Sequence, residues 1–230
     1  MPNLIKRTSV SNSGQAAGTV IVIDVLRAFT TAAYAFTAGT QEILLVSGVQ
    51  EALDLQRQFP GYLLMGEVGG LPIPGFDFSN SPFAISRADL RGKGLIQRTS
   101  AGTQGVVRSS NASRLLAASF CVAKPTARAL KRYRPGEITF VITGAESKGG
   151  GDEDAACADY IEALLYQDHE PDVSPYLERV RHSTAGKIFA DPLEPEFPQA
   201  DLEYSLQANR FDFAMEVERL SGQFILRPRW

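Results

Sequence analysis

Just after Thr19 the chain runs through an unbroken β-branched stretch, Val20-Ile21-Val22-Ile23, and turns polar at Asp24. A short continuous apolar run of this kind predicts a strand covered on both faces, and the apolar-rich stretch 26–37 behind it predicts a helix. The alternation then recurs. Further strands are predicted over residues 42–46, 62–65, 94–98, 115–121 and 137–142, and helices over 49–58, 103–109, 126–133 and 153–166. Strands alternating with helices of this length imply crossover units, so the expected fold class is α/β. The expected architecture is a three-layer α/β/α arrangement with a mainly parallel or mixed sheet. From residue 167 onward the chain is richer in Pro, Glu and Phe and carries both histidines; it predicts a C-terminal helical appendage with a last strand over 223–226. The expected division is a core over 1–166 and an appendage over 167–230 packed on that same core, with a soft boundary that is compatible with one domain.

Composition adds exclusions. Hydrophobic residues make up 44% and charged residues 21% of the chain, ordinary globular usage that excludes disordered and fibrous classes. The apolar runs stop at a charge far short of the roughly 20 residues a bilayer span needs. Residues 1–15 carry no apolar core of a secretory signal, so a soluble, cytoplasmic protein with no membrane association is expected. Cys121 and Cys157 are too few for a disulfide framework and lack metal-site spacing; buried thiols are expected. The net charge of −3 hides an asymmetry, with residues 1–134 at +8 and residues 135–230 at −11. The one basic cluster, Lys124, Arg128, Lys131, Arg132 and Arg134, has helical spacing and reads as a solvated helix face. No aromatic-interleaved basic stripe accompanies it, so no nucleic-acid partner is expected. A positive half serves a small anionic ligand equally well.

In open parallel sheets ligands bind beyond the carboxyl ends of the strands, so the residues that follow each run carry the chemistry. After the first predicted strand come Asp24 and Arg27. After 62–65 come Gly66-Glu67-Val68-Gly69-Gly70 and a loop through Asp77 to Asn80-Ser81-Pro82. After 94–96 come Arg98-Thr99-Ser100-Ala101-Gly102-Thr103, and after 137–142 a glycine-rich loop over 143–151 runs into Asp152-Glu153-Asp154. Asp24, Glu67, Asp77, Asp152, Glu153 and Asp154 are hard oxygen donors of the kind that hold Mg²⁺ or Mn²⁺. Arg27, Arg98, the hydroxyls of Thr99, Ser100 and Thr103, and the amides of Gly102 and Thr103 suit an oxyanion. A divalent cation beside a phosphate pocket is the equipment of metal-assisted phosphoryl chemistry. Blander roles compete: Asp24 as a helix cap, Asp77 and Asn80-Ser81-Pro82 as turn formers, and the three acids at 152–154 as partners of a helix dipole.

Other phosphate chemistries lack their residues. Leu26 stands where a haloacid-dehalogenase-type phosphatase carries its second Asp, and Cys121 is seven residues from Arg128 rather than six. The loop over 143–151 has no Lys-Ser/Thr ending of a Walker loop, and His169 and His182 show no zinc-site pattern.

The strings Val22-Ile23-Asp24-Val25-Leu26-Arg27-Ala28, Gly66-Glu67-Val68-Gly69-Gly70, Gly75-Phe76-Asp77-Phe78-Ser79-Asn80-Ser81-Pro82, Thr99-Ser100-Ala101-Gly102-Thr103 and Glu153-Asp154-Ala155-Ala156-Cys157-Ala158 together resemble the ComB-type 2-phosphosulfolactate phosphatase family. They occur in that family's order over residues 18–166. The resemblance implies an α/β/α fold and Mg²⁺-dependent hydrolysis of a phosphate monoester, 2-phosphosulfolactate, to sulfolactate in coenzyme M biosynthesis. By position it puts the family's Asp-Val-x-Arg-Ala segment on Asp24 and Arg27, its Gly-Glu segment on Glu67, its Asn-Ser-Pro on Asn80 to Pro82, and its Glu-Asp helix start on Glu153 and Asp154. Two departures touch the anion pocket: the family's usual Thr-Thr-Thr-Asn-Gly-Thr is Arg98-Thr99-Ser100-Ala101-Gly102-Thr103 here, and Val68 stands where a basic residue is common.

The expected mechanism has Mg²⁺ on some of Asp24, Glu67, Glu153 and Asp154. A small anionic phosphomonoester substrate lies against Arg27, Asn80, Ser81, Arg98, Thr99, Ser100, Gly102 and Thr103, and Asp77 or Asp152 orients the attacking water. Direct water attack and an aspartyl-phosphate on Asp24 both remain open, as do a non-catalytic anion-binding protein on the same fold and a nucleic-acid-associated one. A homodimer is the commonest assembly, and Phe224, Ile225, Leu226 and Trp230 are the residues expected to contribute to one.

Overall fold

In the computed structural model, which describes residues 2, 4–146, 150–167 and 169–230, the chain opens with strands β1 (Leu4–Ser9) and β2 (Gly18–Ile23) and helix α1 (Ala28–Thr37). There follow β3 (Ile43–Val46), α2 (Val49–Gln58), β4 (Tyr62–Val68), the two-residue strands β5 (Leu71–Pro72) and β6 (Phe78–Ser79), α3 (Pro82–Ile85), β7 (Gly94–Arg98) and α4 (Gly102–Arg108). Then come β8 (Ala112–Ala118), α5 (Ala123–Tyr133), β9 (Glu137–Ile142), α6 (Asp152–Tyr166), α7 (Ser174–His182), α8 (Thr184–Ala190), α9 (Gln199–Ser205), β10 (Ala214–Leu220) and β11 (Gln223–Arg229). The fold is α/β with a mixed sheet, as the alternation predicts.

The strands form one sheet in the order β1-β9-β2-β8-β10-β11-β3-β7-β4-β5. The strands β1, β9, β2 and β8 are mutually parallel, and so are β3, β7 and β4. The hairpin β10–β11 joins the two sets through antiparallel pairings with β8 and β3, so the halves run in opposite senses. Residues 214–229 are therefore the middle of the sheet, and only α7, α8 and α9 form the helical appendage expected after residue 167. Two features hid β10 from the sequence pattern: Glu216 and Glu218 alternate with the inward Met215 and Val217, and the strand ends in a two-residue turn, Ser221-Gly222, at positive φ. Strand β1 was missed because its only apolar residues are Leu4 and Ile5, in keeping with its place at the sheet edge. The expectation that Phe224, Ile225 and Leu226 offer a dimer surface is corrected: Ile225 and Leu226 are buried, Phe224 packs on the core, and Trp230 alone of the four is exposed.

Helix α1 is buried from Ala28 to Phe36, and its cluster draws on Val20 and Val22 from one half of the sheet and on Ile43, Met65 and Leu95 from the other. An apolar helix with no polar face belongs in such a place. The alternate side chains Ile21 and Ile23 of β2 pack with α5 and α6, while Leu44, Val46, Leu64 and Ile96 pack with α2. Burial of aliphatic side chains at about 25 cal/mol per Å² is the main force holding these layers. Gly66 lets β4 lie against β7, since a Cβ there would sit 1.9 Å from the Arg98 carbonyl oxygen. Cys121 and Cys157 are free buried thiols, as expected. Among the described residues no helix is long and apolar enough to cross a membrane.

Candidate active site

Asp24 follows β2 and begins the turn into α1. Its backbone oxygen accepts from the Phe29 amide, and its Oδ1 accepts from the Ala28 amide at 2.9 Å, so half of the carboxylate is the helix cap that the bland reading expected. The Oδ2 side lies against Gly102, where a Cβ would come within 2.8 Å of that oxygen and 2.6 Å of the Ala28 Cβ. Only glycine fits there. Burial is the main reason why the Asp24 carboxyl is pushed up to about 7, with the nearby charges of Glu67 and Glu153 adding to it.

Asp154, in the first turn of α6, ties together the loops that follow β2 and β9. Its Oδ1 accepts from the Val25 amide at 2.8 Å, and its Oδ2 from the Thr143 hydroxyl at 3.0 Å and the Gly144 amide at 2.9 Å. Its carboxyl is held well above the usual range by burial, then by Glu153 and Asp24. The neighbouring Glu153 is also buried and raised, chiefly by desolvation, and its Oε2 has no hydrogen-bond partner. A buried carboxylate oxygen left unpaired is costly.

Glu67, near the end of β4, is spent on the opposite loops. Its Oε1 accepts from the Ser100 amide at 2.5 Å, and its Oε2 from the Gly70 amide at 2.7 Å and the Ser100 hydroxyl at 3.0 Å. Hydrogen bonds to a charged group contribute about 1.5–3 kcal/mol each, enough to hold the Gly69-Gly70 turn and the Ser100 loop in one register. Arg98 braces the same region from outside the pocket lining, donating to the Glu67 carbonyl at 2.7 Å and the Ser47 carbonyl at 3.3 Å.

Arg27 is nearly sealed in the protein. Its Nη1 donates to Asp201 Oδ2 at 2.8 Å and to the Glu196 carbonyl at 3.4 Å, its Nη2 to the Gly70 carbonyl at 3.0 Å, and its guanidinium packs against the rings of Phe189 and Phe197. The peptide bond that precedes it is cis.

Asp24, Arg27 and Glu67 meet in one pocket of about 210 Å³, which Asn80, Ser100, the Gly69-Gly70 turn, Leu26, Ala185, Ile188, Phe189 and Phe197 also line; Glu153 and Asp154, expected as ligands there, lie behind Asp24 and do not line it. A depression of about 410 Å³ along β8 and β10 is larger, yet its charges are already satisfied: Arg114 pairs with Glu216, and Arg219 donates to the Ser109 and Ala112 carbonyls. Although the two halves of the sheet run in opposite senses, both deliver the ends of their strands to the first pocket.

Several predicted site residues lie elsewhere or are otherwise engaged. Thr99 and Thr103 are buried and cap α4 reciprocally, the Thr103 hydroxyl accepting from the Thr99 amide at 2.9 Å and the Thr99 hydroxyl from the Thr103 amide at 3.0 Å. The Thr103 amide thus points at a side chain rather than at a ligand. Ser81 caps α3 and donates to Asp201 at 2.6 Å. Asp77 is exposed and accepts from the Leu64 amide at 2.8 Å, and Asp152 is paired with Arg179 at 2.6 Å. Neither lines the pocket where a water-orienting base was expected; the Leu64 amide and Arg179 engage them instead. Among the described residues no three Asp, Glu, His or Cys side chains are grouped around a metal position. Ser147, Lys148 and Gly149 of the glycine-rich loop lie outside the described residues.

With that geometry in place, the sequence pattern of 2-phosphosulpholactate phosphatase matches residues 5–219. The chain belongs to the 2-phosphosulpholactate phosphatase family. It is 37% identical over 199 residues to a Bacillus subtilis protein named probable 2-phosphosulfolactate phosphatase, with 86% of each chain covered. A Carboxydothermus hydrogenoformans protein of the same name is 37% identical over 217 residues, 90% of this chain and 89% of that one, and a Thermoplasma acidophilum one is 26% identical over 208 residues. The family pattern continues past residue 166 and so takes in the appendage that the sequence reading left without a role. That reading missed Asp201, Phe189 and Phe197. Asp201 had one signal: it shares the buried face of α9 with Leu202 and Ser205, where an acid is rare unless paired.

Proposed function

We propose that this chain is a phosphoric monoester hydrolase that cleaves 2-phosphosulfolactate to sulfolactate and inorganic phosphate. The observation that carries the reading is a buried carboxyl facing the same pocket as Arg27: Asp24 is pushed up to about 7, and its neighbour Glu153 keeps one carboxylate oxygen without a hydrogen-bond partner. The printed names of the relatives in Bacillus subtilis and Carboxydothermus hydrogenoformans support the substrate.

The donor set fits Mg²⁺, which takes one or two carboxylates and completes its shell with waters and substrate phosphate. Asp24 and Glu153 would hold it, since Glu67 and Asp154 already spend both oxygens on amides and hydroxyls. When bound, such an ion supplies positive charge against the phosphate and the departing alkoxide. Phosphoryl transfer through a loose transition state asks for position and charge more than for a strong base, in keeping with a pocket from which Asp77 and Asp152 are absent. Arg27 binds and orients the oxyanion with the N–H groups that Asp201 and the two carbonyls leave unused. Glu67 fixes the Ser100 loop at the pocket wall, and Leu26, Ile188 and Phe189 exclude bulk water around the leaving group. Water forms the new P–O bond, the ester P–O bond breaks, and the alkoxide takes up the proton that the water loses.

Purified protein given 2-phosphosulfolactate, phosphoglycolate and 2-phospholactate with Mg²⁺ is expected to release phosphate fastest from the first, and chelator is expected to stop release. Release unaffected by chelator would remove the metal from this reading, and a faster second ester would change the substrate.

A further inference from the structure

Asp201 sits in α9, more than 170 residues from Arg27, and is fully buried. Its two oxygens serve different loops. One accepts from Arg27 Nη1 at 2.8 Å; the other accepts from the Ser81 hydroxyl at 2.6 Å and the Phe83 amide at 3.2 Å. Ser81 follows Asn80, and Asn80, like Arg27, lines the pocket. One carboxylate thus fixes a pocket cation and the loop that carries a pocket amide.

The surroundings make that fixing strict. Arg27 and Asp201 are 4% and 0% exposed in their side chains, so water cannot substitute for either partner. Phe189 and Phe197, perpendicular to each other with ring centres 5.3 Å apart, both press on the guanidinium, at 5.0 and 5.4 Å from their ring centres. The Gly70 carbonyl takes an Nη2 hydrogen, which leaves the Nε–H and one Nη2 hydrogen without a partner among the described residues. A planar fork with two free donors binds an oxyanion only in the plane in which it is held.

We infer that Asp201 is a positioning residue for the reaction. It sets the plane of Arg27 and, through Ser81, the place of Asn80, so that the appendage helix α9 completes an oxyanion site whose other walls come from the sheet. The inference rests on the proposed phosphatase reading only for the identity of the ester; what it claims of Arg27 is visible in the binding of inorganic phosphate alone.

The test compares wild type with Asp201→Asn, a near-isostere that can still accept from Ser81 but carries no charge for Arg27. Calorimetry with inorganic phosphate in the presence of Mg²⁺ is expected to give a dissociation constant raised by about tenfold to a hundredfold, the scale on which a misplaced binding group acts. KM for 2-phosphosulfolactate is expected to rise by a similar factor, and Asp201→Glu, which restores the charge, to recover part of the loss. A folded Asp201→Asn variant with a lower melting temperature but unchanged phosphate affinity and KM would make Asp201 merely structural and overturn the inference. Should Asp201→Asn fail to fold, Asp201→Glu carries the test: weakened phosphate binding in a folded protein supports positioning, and wild-type binding contradicts it. Wild-type protein that binds phosphate but hydrolyses no ester would overturn the proposed reaction while leaving this comparison intact; wild type that binds no phosphate would overturn both.

Discussion

Asp24 is ionised at a cost. An ordinary carboxyl titrates near 3.8, whereas burial lifts this one to about 7. Between pH 4 and 7 the unfolded chain has lost the proton and the folded one has kept it, so the folded state loses stability as pH rises through that window and levels off above it. Asn at position 24 can still cap the Ala28 amide. In the presence of chelator, Asp24→Asn is therefore expected to melt at or above the wild-type temperature at pH 8, with a smaller drop between pH 5 and 8; a variant much less stable than wild type at pH 8 would show that the charge is not under strain. The sequence made Asp24, Arg27, Glu67, Asn80 and Ser100 legible because each follows a strand. It hid which oxygens were already taken, since whether Glu67 meets the amides of Gly70 and Ser100 depends on how two distant loops close. Arg98 and Thr99 carry the right chemistry on the right segment and yet serve the loops rather than the pocket.

At the scale of elements, the apolar runs identified β2, β3, β7 and β9 within about a residue at each end, because buried parallel strands need little but apolar side chains. The C-terminal hairpin was half visible. Its outer face carries Glu216, Glu218, Arg227 and Arg229, which pair with one another across the strands, so charge masked a segment whose other face is core. That placement has a direct consequence: among the described residues, β10 and β11 are the strands through which the two parallel halves of the sheet pair. A chain ended at residue 212 is expected to lose its cooperative melt and its near-ultraviolet circular dichroism, whereas a removable appendage would leave a folded core over 1–166.

Over the whole molecule the charge asymmetry resolves into internal pairing. Arg7 meets Asp159 and Glu162, Lys124 meets Glu170, Arg128 meets Asp212, Arg114 meets Glu216 and Arg27 meets Asp201, each joining the basic first part of the chain to its acidic remainder. The exposed pairs contribute little individually; on the basic helix α5 they engage Lys124 and Arg128. At the pocket, Asp24 carries a raised carboxyl and Arg27 has donors to spare, and behind Asp24 the buried Glu153 keeps one oxygen without a hydrogen-bond partner. In the proposed function, a small phosphate ester is hydrolysed at Asp24. The most direct measurement is steady-state phosphate release from 2-phosphosulfolactate, with Mg²⁺ at pH 7.5, by wild type and by folded Asp24→Asn. Turnover by wild type that falls by about a hundredfold or more in the variant is expected; no release by wild type, or equal release by both, would contradict it.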